Sequence, residues 1–130
     1  MLEDMRRNEF VEYIIGDQLA GMSGMSAKAM FSGFGIYREG TIVGIVIDDE
    51  LYLKADATNE AKYKAMGSAP FVYDRKGGKR VAMSYWKVPP EVLEDRERIS
   101  ELVDDAYEIN LKKAVEKSGM KKRKRKTRTA

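Results

Sequence analysis

The chain has 130 residues, of which 43% are hydrophobic and 35% charged, and it contains neither cysteine nor histidine. This length is typical of one domain, and the absence of the two residue types excludes disulfides, thiolate zinc sites, cysteine nucleophiles and histidine-based triads. Any catalysis would have to use carboxylates, lysine, tyrosine or serine, and any metal would need oxygen ligands. No residue pattern calls for a cofactor, and we predict none.

The formal net charge of +3 is unevenly distributed along the chain. The segment Lys121–Arg128 holds seven of the 24 basic residues and no acid, so the other 17 face all 21 acidic residues and the body is near −4. The body is therefore not a generally basic nucleic-acid-binding domain. No run of about 18 apolar residues occurs, and the N-terminus has no apolar signal-peptide core. We therefore expect a cytoplasmic protein.

In the first half of the chain, the pattern predicts one helix and three strands. Apolar residues at helical spacing predict an amphipathic helix over residues 3–20. The first strand is predicted from Ala27 to Arg38, with a bulge at Gly33–Gly35, because glycines inside a strand commonly mark a bulge. The second strand is Thr41–Asp48, the third begins at Leu51, and the acidic residues between them are assigned to a turn.

The second half predicts a helix, a hairpin and a long final helix. Asn59–Met66 is the short helix. Phe71–Asp74 and Val81–Val88 are the hairpin strands, joined around Gly77-Gly78, which is a strong signal for a tight turn. Glu91–Lys117 carries the clearest apolar stripe at helical spacing.

The order α-β(3)-α-β(2)-α predicts a two-layer α+β domain, in which helices pack mainly on one face of a five-stranded antiparallel sheet. The other face is either solvated or meets a partner. We expect Ser118-Gly119 to end the last helix, so that the folded domain is 1–119. Residues 120–130 lack apolar anchors and are predicted to be a disordered basic tail.

Four segments of the sequence resemble the motifs of a known family. They are MFSGFGIY at 30–37, LYLK at 51–54, PFVY at 70–73 and MSYWKVP at 83–89. In this order they are similar to the signature segments of the TfoX N-terminal domain family, although Ser32 stands where glycine is usual. The likeness runs from about Met22 to Lys117.

The resemblance implies the α-β(3)-α-β(2)-α fold and a non-enzymatic role in transcriptional regulation of natural competence, together with a cyclic-AMP receptor protein. The founding members of the family carry a second, C-terminal domain, and this sequence has a basic tail in its place. We therefore expect a single-domain member. The family offers no catalytic residues to carry over, and we predict none.

Two basic segments are candidates for contact with nucleic acid. The dense charge of the tail would bind phosphate backbones through counterion release, without sequence readout. The hairpin tip could meet the same polyanion or an acidic protein surface. The alternatives are a solubilising tail and a solvated turn. The candidate residues are Lys121, Lys122, Arg123, Lys124, Arg125, Lys126 and Arg128 in the tail and Arg75, Lys76, Lys79 and Arg80 at the tip.

Aromatic residues of the predicted sheet are the candidate partner surface, because tyrosine and tryptophan are effective interface anchors. The alternative is that most of them pack in the core. The candidate residues are Phe34, Tyr37, Tyr52, Tyr85 and Trp86.

These observations favour a regulatory or adaptor module that binds a protein partner, either transcription machinery or a regulator, with a homodimer as a further expectation. The rival hypothesis is a small-ligand-binding or enzymatic domain, whose pocket would lie beside the Gly33–Gly35 bulge and use nearby aromatic residues such as Tyr37 and Trp86.

Overall fold

The structure, a computed structural model, describes residues 8–30, 33–75 and 77–129, with side chains described as far as residue 116. These residues form one antiparallel sheet with helices before, between and after its strands. The strands are β1 (Met25–Met30), β2 (Gly33–Arg38), β3 (Thr41–Ile47), β4 (Glu50–Lys54), β5 (Pro70–Asp74) and β6 (Arg80–Lys87). The helices are α1 (Glu9–Tyr13), a π-helical turn (Ile14–Gln18), α2 (Glu60–Ala65), α3 (Pro90–Leu93) and α4 (Arg96–Thr129).

The strands follow the order β1-β2-β3-β4-β6-β5 across the sheet. The first four form a meander, and β6 then pairs with β4, so that β5 lies at the outer edge. The predicted α+β class with an antiparallel sheet is confirmed. The predicted number of strands is wrong, because the sheet has six strands and not five.

The sixth strand comes from the segment that was predicted to be one strand with a bulge. β1 and β2 pair with each other from Met25 opposite Arg38 to Met30 opposite Gly33, so the chain reverses direction between Met30 and Gly33. Gly33 is needed for the approach of β2 to β3, because a Cβ atom at this position would overlap the carbonyl oxygen of Val46. The glycine-rich segment therefore starts a new strand.

Tight turns join the next strands of the meander. Glu39 and Gly40 have φ values of 49° and 80° between β2 and β3, and Asp48 and Asp49 have φ values of 51° and 57° between β3 and β4. Positive φ at both central residues matches the right-handed twist of the flanking strands. The assignment of the acidic segment to a turn is confirmed.

The helices cover one face of the sheet, which we call the helix face. Tyr63 of α2 and Ile99 of α4 are fully buried against this face. The side chain of Asn110 anchors α4 at the start of β3, because its Nδ2 donates to the carbonyl oxygen of Ile42 at 2.8 Å. The buried cluster consists of Val11, Ile14, Leu19, Ile36, Val43, Val46, Leu51, Leu53, Ala55, Tyr63, Val88, Val92, Ile99, Leu102, Val103 and Ala106.

The first predicted helix is shorter and less regular than expected. Residues 3–7 of the prediction lie outside the described residues. Asn8 caps α1, since its Oδ1 accepts a hydrogen bond from the Val11 amide at 3.1 Å. The chain then widens into the π-helical turn, where Gln18 donates its Nε2 to the Leu93 carbonyl oxygen at 2.7 Å. This bond ties the end of the N-terminal helical segment to α3.

The last predicted helix is interrupted near its start and extended at its end. Asp95 separates α3 from α4, because its carboxylate caps the new helix by accepting from the amides of Glu97 at 3.1 Å and Arg98 at 3.2 Å. The backbone is helical through Thr129 and does not end at Ser118-Gly119. Lysine and arginine are good helix formers, and one interior glycine costs only about 1 kcal/mol.

The domain boundary at residue 119 stays a prediction, since the side chains beyond residue 116 lie outside the described part of the chain. Among the described residues, none of the helices combines the length and the apolar character that a membrane crossing requires.

The hairpin of β5 and β6 extends beyond the helices. None of the residues in Val72–Asp74 and Arg80–Ser84 is buried on either face. Gly77 and Gly78 at its tip have φ values of 92° and 77°, as the hairpin prediction requires. The Arg75 amide closes the loop by donating to the Lys79 carbonyl oxygen at 2.7 Å.

Candidate functional site

The face of the sheet away from the buried cluster carries aromatic side chains from several strands, and we call it the open face. The last helix reaches its edge, where Asn110 contacts Tyr85 and Lys113 contacts Lys54. Tyr37 follows the buried Ile36 on β2, so strand alternation directs it to this face. The register places Ile45 opposite Tyr52 and Lys54 opposite Tyr85. Ile45 and Tyr52 are only 8% and 9% exposed, yet they lie outside the cluster that the helices cover.

Tyr52 is at the centre of the open face. Its ring meets that of Phe71 edge to face, with 5.2 Å between the centroids. Its hydroxyl donates to Glu50 Oε2 at 3.0 Å. Burial, together with this hydrogen bond, raises the pKa of Tyr52 to about 12. The hydroxyl is therefore a neutral donor at physiological pH.

Lysine side chains lie over the outer tyrosines of the open face. Lys28 Nζ is 5.4 Å from the centroid of the Tyr37 ring, and Lys54 Nζ is 5.5 Å from that of Tyr85. These distances are typical of cation–π contacts. In the part of the chain that the structure describes, neither lysine has a carboxylate within salt-bridge distance.

Lys87 and the burial of Lys54 also affect the charge of the open face. Lys87 is neutralised by Glu50, since Nζ and Oε1 are 2.7 Å apart, and this hydrogen bond lowers the pKa of Glu50. Lys54 is 9% exposed. Burial, followed by its contact with the amine of Lys113, lowers the pKa of Lys54 to about 8.

The five predicted partner-surface residues fall on two faces. Tyr37, Tyr52 and Tyr85 lie on the open face. Phe34 and Trp86 lie on the helix face, where both pack against the core cluster. The Trp86 ring is 6.0 Å from that of Tyr63. Consecutive strand residues such as Tyr85 and Trp86 point to opposite faces, so one surface cannot include both.

Several residues of the open face were missed from the sequence. Ile45, Phe71, Lys28 and Lys54 were not candidates, although strand alternation was available as a signal for each of them. The burial of Lys54 had no local signal, because it depends on contacts with distant parts of the chain.

The described basic residues of the hairpin tip, Arg75, Lys79 and Arg80, are exposed. Arg80 Nε lies 3.5 Å from Asp74 Oδ1, and both side chains are more than three-quarters exposed, at 76% and 78%. The predicted contribution of Lys76 lies outside the described residues. So do the tail side chains of Lys121–Arg128, and their role stays a prediction.

The pocket of the rival hypothesis does not bring together Tyr37 and Trp86, the two aromatic residues that were expected to line it. Tyr37 and Trp86 lie on opposite faces of the sheet, and the strand irregularity lies between Ile36 and Tyr37. A depression of about 310 Å³ does adjoin Gly33, and it is lined by the predicted aromatic Phe34 together with Val46, Asn8 and the acidic turn residues Asp48 and Asp49. Among the described residues, no three acidic side chains are grouped so that they could hold a metal.

Residues 17–109 match the family model of the TfoX N-terminal domain. This range begins in the π-helical turn and ends within α4, so it includes the whole sheet. No curated protein matches the chain.

Proposed function

The chain belongs to the TfoX N-terminal domain family, and from this premise we propose that it is a non-enzymatic regulatory module that acts through protein contacts. The contact surface is the open face, and the partner belongs to the machinery of transcription or its regulation. The basic tail, Lys121–Arg128, adds non-specific attraction to nucleic acid.

The observation that carries the proposal is the group of tyrosines on the open face. Tyr37 and Tyr85 are half-buried and offer large rings at low entropic cost, which is a property of interface anchors, whereas Tyr52 between the strands is buried. The exposed Lys28 borders Tyr37 without a carboxylate partner among the described residues, whereas Lys54 beside Tyr85 is buried. A partner segment that carries acidic side chains beside apolar ones would complement this surface in both charge and chemistry.

The rival function, a small-ligand or enzymatic domain, has weaker support. The depression beside Gly33 is bordered by Asp48 and Asp49. These two residues are held in a turn by their backbone conformation. The turn explains why two acidic residues lie here, and no catalytic role is needed to explain them.

Charge reversal at Lys28 tests the partner surface. Proteins recovered from the native cell with the wild-type chain are identified, purified and titrated with wild type, Lys28→Glu and the control Lys64→Glu. Lys64 is also an exposed lysine, at 64%, but it lies on α2 at the helix face. We expect Lys28→Glu to weaken binding about tenfold and Lys64→Glu to leave it unchanged. Equal affinities of all three proteins for every recovered partner would contradict the proposal.

Deletion of residues 121–130 tests the role of the tail. Binding to duplex DNA should fall steeply with salt for the full chain, because counterions are released from the phosphates. We expect the deleted chain to lose most of this affinity. DNA binding that survives the deletion unchanged would show that the tail does not supply the attraction.

A further inference from the structure

The two edges of the sheet differ in how they are protected against pairing with another strand. Among the described strands, none pairs with the outer side of β1 or of β5. β5 begins with Pro70, its pairing with β6 is irregular before Val72, and it ends at the exposed Asp74. Proline, an irregular register and charge are features that keep an edge strand from pairing with other chains. β1 has neither a proline nor an irregularity in its register with β2.

The backbone of β1 offers a row of unpaired groups along its free edge. The Glu39 amide donates to the Gly24 carbonyl oxygen at 2.8 Å, so these two residues, which continue the β1–β2 register, form a hydrogen-bonded pair. Hydrogen-bonded and non-hydrogen-bonded pairs alternate along an antiparallel ladder. The register therefore directs the N–H and C=O groups of Met25, Ala27 and Ala29 away from β2 and toward the free edge.

The side chains of β1 leave this row of backbone groups accessible. Lys28 is the one charged residue of β1, and its Nζ lies 5.4 Å from the centroid of the Tyr37 ring on β2. Its amine is therefore drawn over the sheet and away from the free edge. Ala27 and Ala29 carry only methyl groups, which give another backbone room to approach. These features fit the addition of a strand from another chain.

β1 is complementary to a second copy of itself in one antiparallel register. With Ala27 opposite Ala27 of the second copy, Met25 lies opposite Ala29, and Ser26 lies opposite Lys28. The unpaired groups of Met25, Ala27 and Ala29 would then all hydrogen-bond across a two-fold axis. A shift of two residues in one direction would set Lys28 opposite Lys28, and like charges directly opposite each other are destabilising. A shift in the other direction would leave Ala29 without a partner in β1.

The same register also matches the two faces of the sheet. Met25 and Ala27 pack against the buried cluster on the helix face, and on this face the pairing would bring only methionine and alanine side chains together. On the open face, serine and lysine side chains would be neighbours. The pairing would therefore continue an apolar layer and a polar layer from one copy to the other.

We propose that two copies of this chain pair through their β1 strands, antiparallel and centred on Ala27, and join their six-stranded sheets into one continuous sheet. The open faces of both copies then lie on the same side of this sheet. The pairing uses backbone groups of β1 and covers none of the tyrosines of the open face. It therefore goes beyond the proposed partner contacts and does not depend on them.

Sedimentation equilibrium of the full chain, over concentrations from about 1 μM to 1 mM, tests this dimer. We expect a reversible monomer–dimer equilibrium with a Kd of about 10–100 μM, because pairing along one short strand makes a small interface.

A proline on each edge strand gives a matched pair of variants. Ala27→Pro removes an N–H group that points to the free edge, so the hydrogen bonds between β1 and β2 are kept, and it should weaken the dimer at least about tenfold. Val72→Pro on β5 is the control. The Arg75 amide donates to the Lys79 carbonyl oxygen, so by the same alternation Val72 also directs its N–H group outward. Val72→Pro should leave the Kd unchanged, and circular dichroism would verify that both variants are folded.

Substitutions of the exposed Ser26 test the register without a proline. Ser26→Lys would place like charges opposite Lys28 of the second copy and should weaken the dimer about fivefold, whereas Ser26→Glu would place opposite charges there and should tighten it about fivefold. Lys28→Glu, which tests the partner surface, would set a carboxylate opposite a neutral serine and should change the Kd less than about twofold. The two proposals can therefore fail separately.

A chain that stays monomeric up to about 1 mM would show that the proposal is wrong. A dimer with the same Kd for wild type, Ala27→Pro and Ser26→Lys would also contradict it, because the interface would then lie elsewhere. A dimer that Val72→Pro alone disrupts would assign the interface to the β5 edge and would refute pairing through β1.

Discussion

Replacing Gly33 with alanine should severely weaken the fold. The added Cβ would overlap the Val46 carbonyl oxygen, which belongs to the backbone of β3 and cannot turn aside. Forcing atoms into a packed region costs about 1–3 kcal/mol, and a strained or broken strand hydrogen bond adds about 1 kcal/mol. We therefore expect a loss of about 3 kcal/mol in the free energy of unfolding, which lowers Tm by about 10 °C in a domain of this size.

Other glycines provide matched controls for this substitution. At Gly35 the nearest atoms to a Cβ are Met30 Sδ and Tyr37 Cε1, both at 2.9 Å. These are side-chain atoms that can move, so Gly35→Ala should cost only about 1 kcal/mol, and the larger Gly35→Val should cost more. Gly16 has no atom within 4 Å, and Gly16→Ala in its helical backbone should stabilise the protein by up to about 1 kcal/mol.

Thermal unfolding followed by circular dichroism, with urea unfolding at 25 °C, would measure these four variants against the wild type. From the most to the least stable protein, the expected order is Gly16→Ala, wild type, Gly35→Ala, Gly35→Val and Gly33→Ala. A Gly33→Ala variant with the same Tm as the wild type would refute the close approach of β2 and β3. Unchanged melting of Gly35→Val would refute the packing of Met30 and Tyr37 around Gly35.

Three further predictions concern single side chains. The folded pKa of Lys54, about 8, lies below the ordinary value of 10.5, so the unfolded chain binds more protons between these values. Stability should therefore rise with pH across this window, by up to about 1.4 kcal/mol per pH unit, and Lys54→Met should remove the slope and stabilise the protein at pH 7. Tyr63→Phe removes a buried hydroxyl that has no partner among the described residues, and should leave stability equal or raise it by about 1 kcal/mol. Arg38→Ala breaks an ion pair with Asp104 and should cost about 1 kcal/mol, less at high salt, whereas Arg80→Ala at the exposed hairpin should cost nothing measurable.

Urea unfolding measures all three. Wild type and Lys54→Met are compared at pH 8, 9 and 10, a window below the ionisation of Tyr52, and parallel pH profiles would refute the burial of this lysine. A large loss of stability in Tyr63→Phe would mean that the hydroxyl has a partner. Equal effects of Arg38→Ala and Arg80→Ala would show that the ion pair of Arg38 with Asp104 adds nothing to stability.

The elements that could be predicted from the sequence are those with local signals. Gly77-Gly78 marks a hairpin because both residues adopt positive φ without strain. The apolar stripe of α4 follows from helical spacing and needs no knowledge of the rest of the chain. Asp95 is also a local capping signal for α4, although the apolar stripe alone predicts one continuous helix through this position.

The reversal between β1 and β2 could not be predicted in the same way. Phe31-Ser32 is not among the residue pairs that favour tight hairpins, while Gly33 and Gly35 suggested a bulge. Gly33 serves a close contact with β3, and this contact is visible only once the register of β2 and β3 is known. A one-residue error in register would reverse every face assignment.

The candidate site was predictable only in part for a related reason. Tyr37, Tyr52 and Tyr85 were found as motif residues, but their shared face depends on pairings between strands that are distant in sequence. From the sequence alone, Lys54 would be expected to be an ordinary solvent-exposed lysine on a strand. Its burial requires Tyr85 from β6 and Lys113 from α4, which only the tertiary fold brings together.

The exposed hairpin of β5 and β6 has a consequence for the dynamics of the domain. A two-stranded ribbon with no buried residue on either face is marginally stable by itself, so its outer half should open without global unfolding. We expect the backbone amides of Val72 and Val81 to exchange with deuterium much faster than those of Val46 and Leu53 in the covered strands. Equal protection of the two groups would mean that the ribbon unfolds only with the whole domain. Fast exchange would mean that the charged tip sits on an arm that opens and closes while the tyrosine-bearing centre of the sheet stays folded.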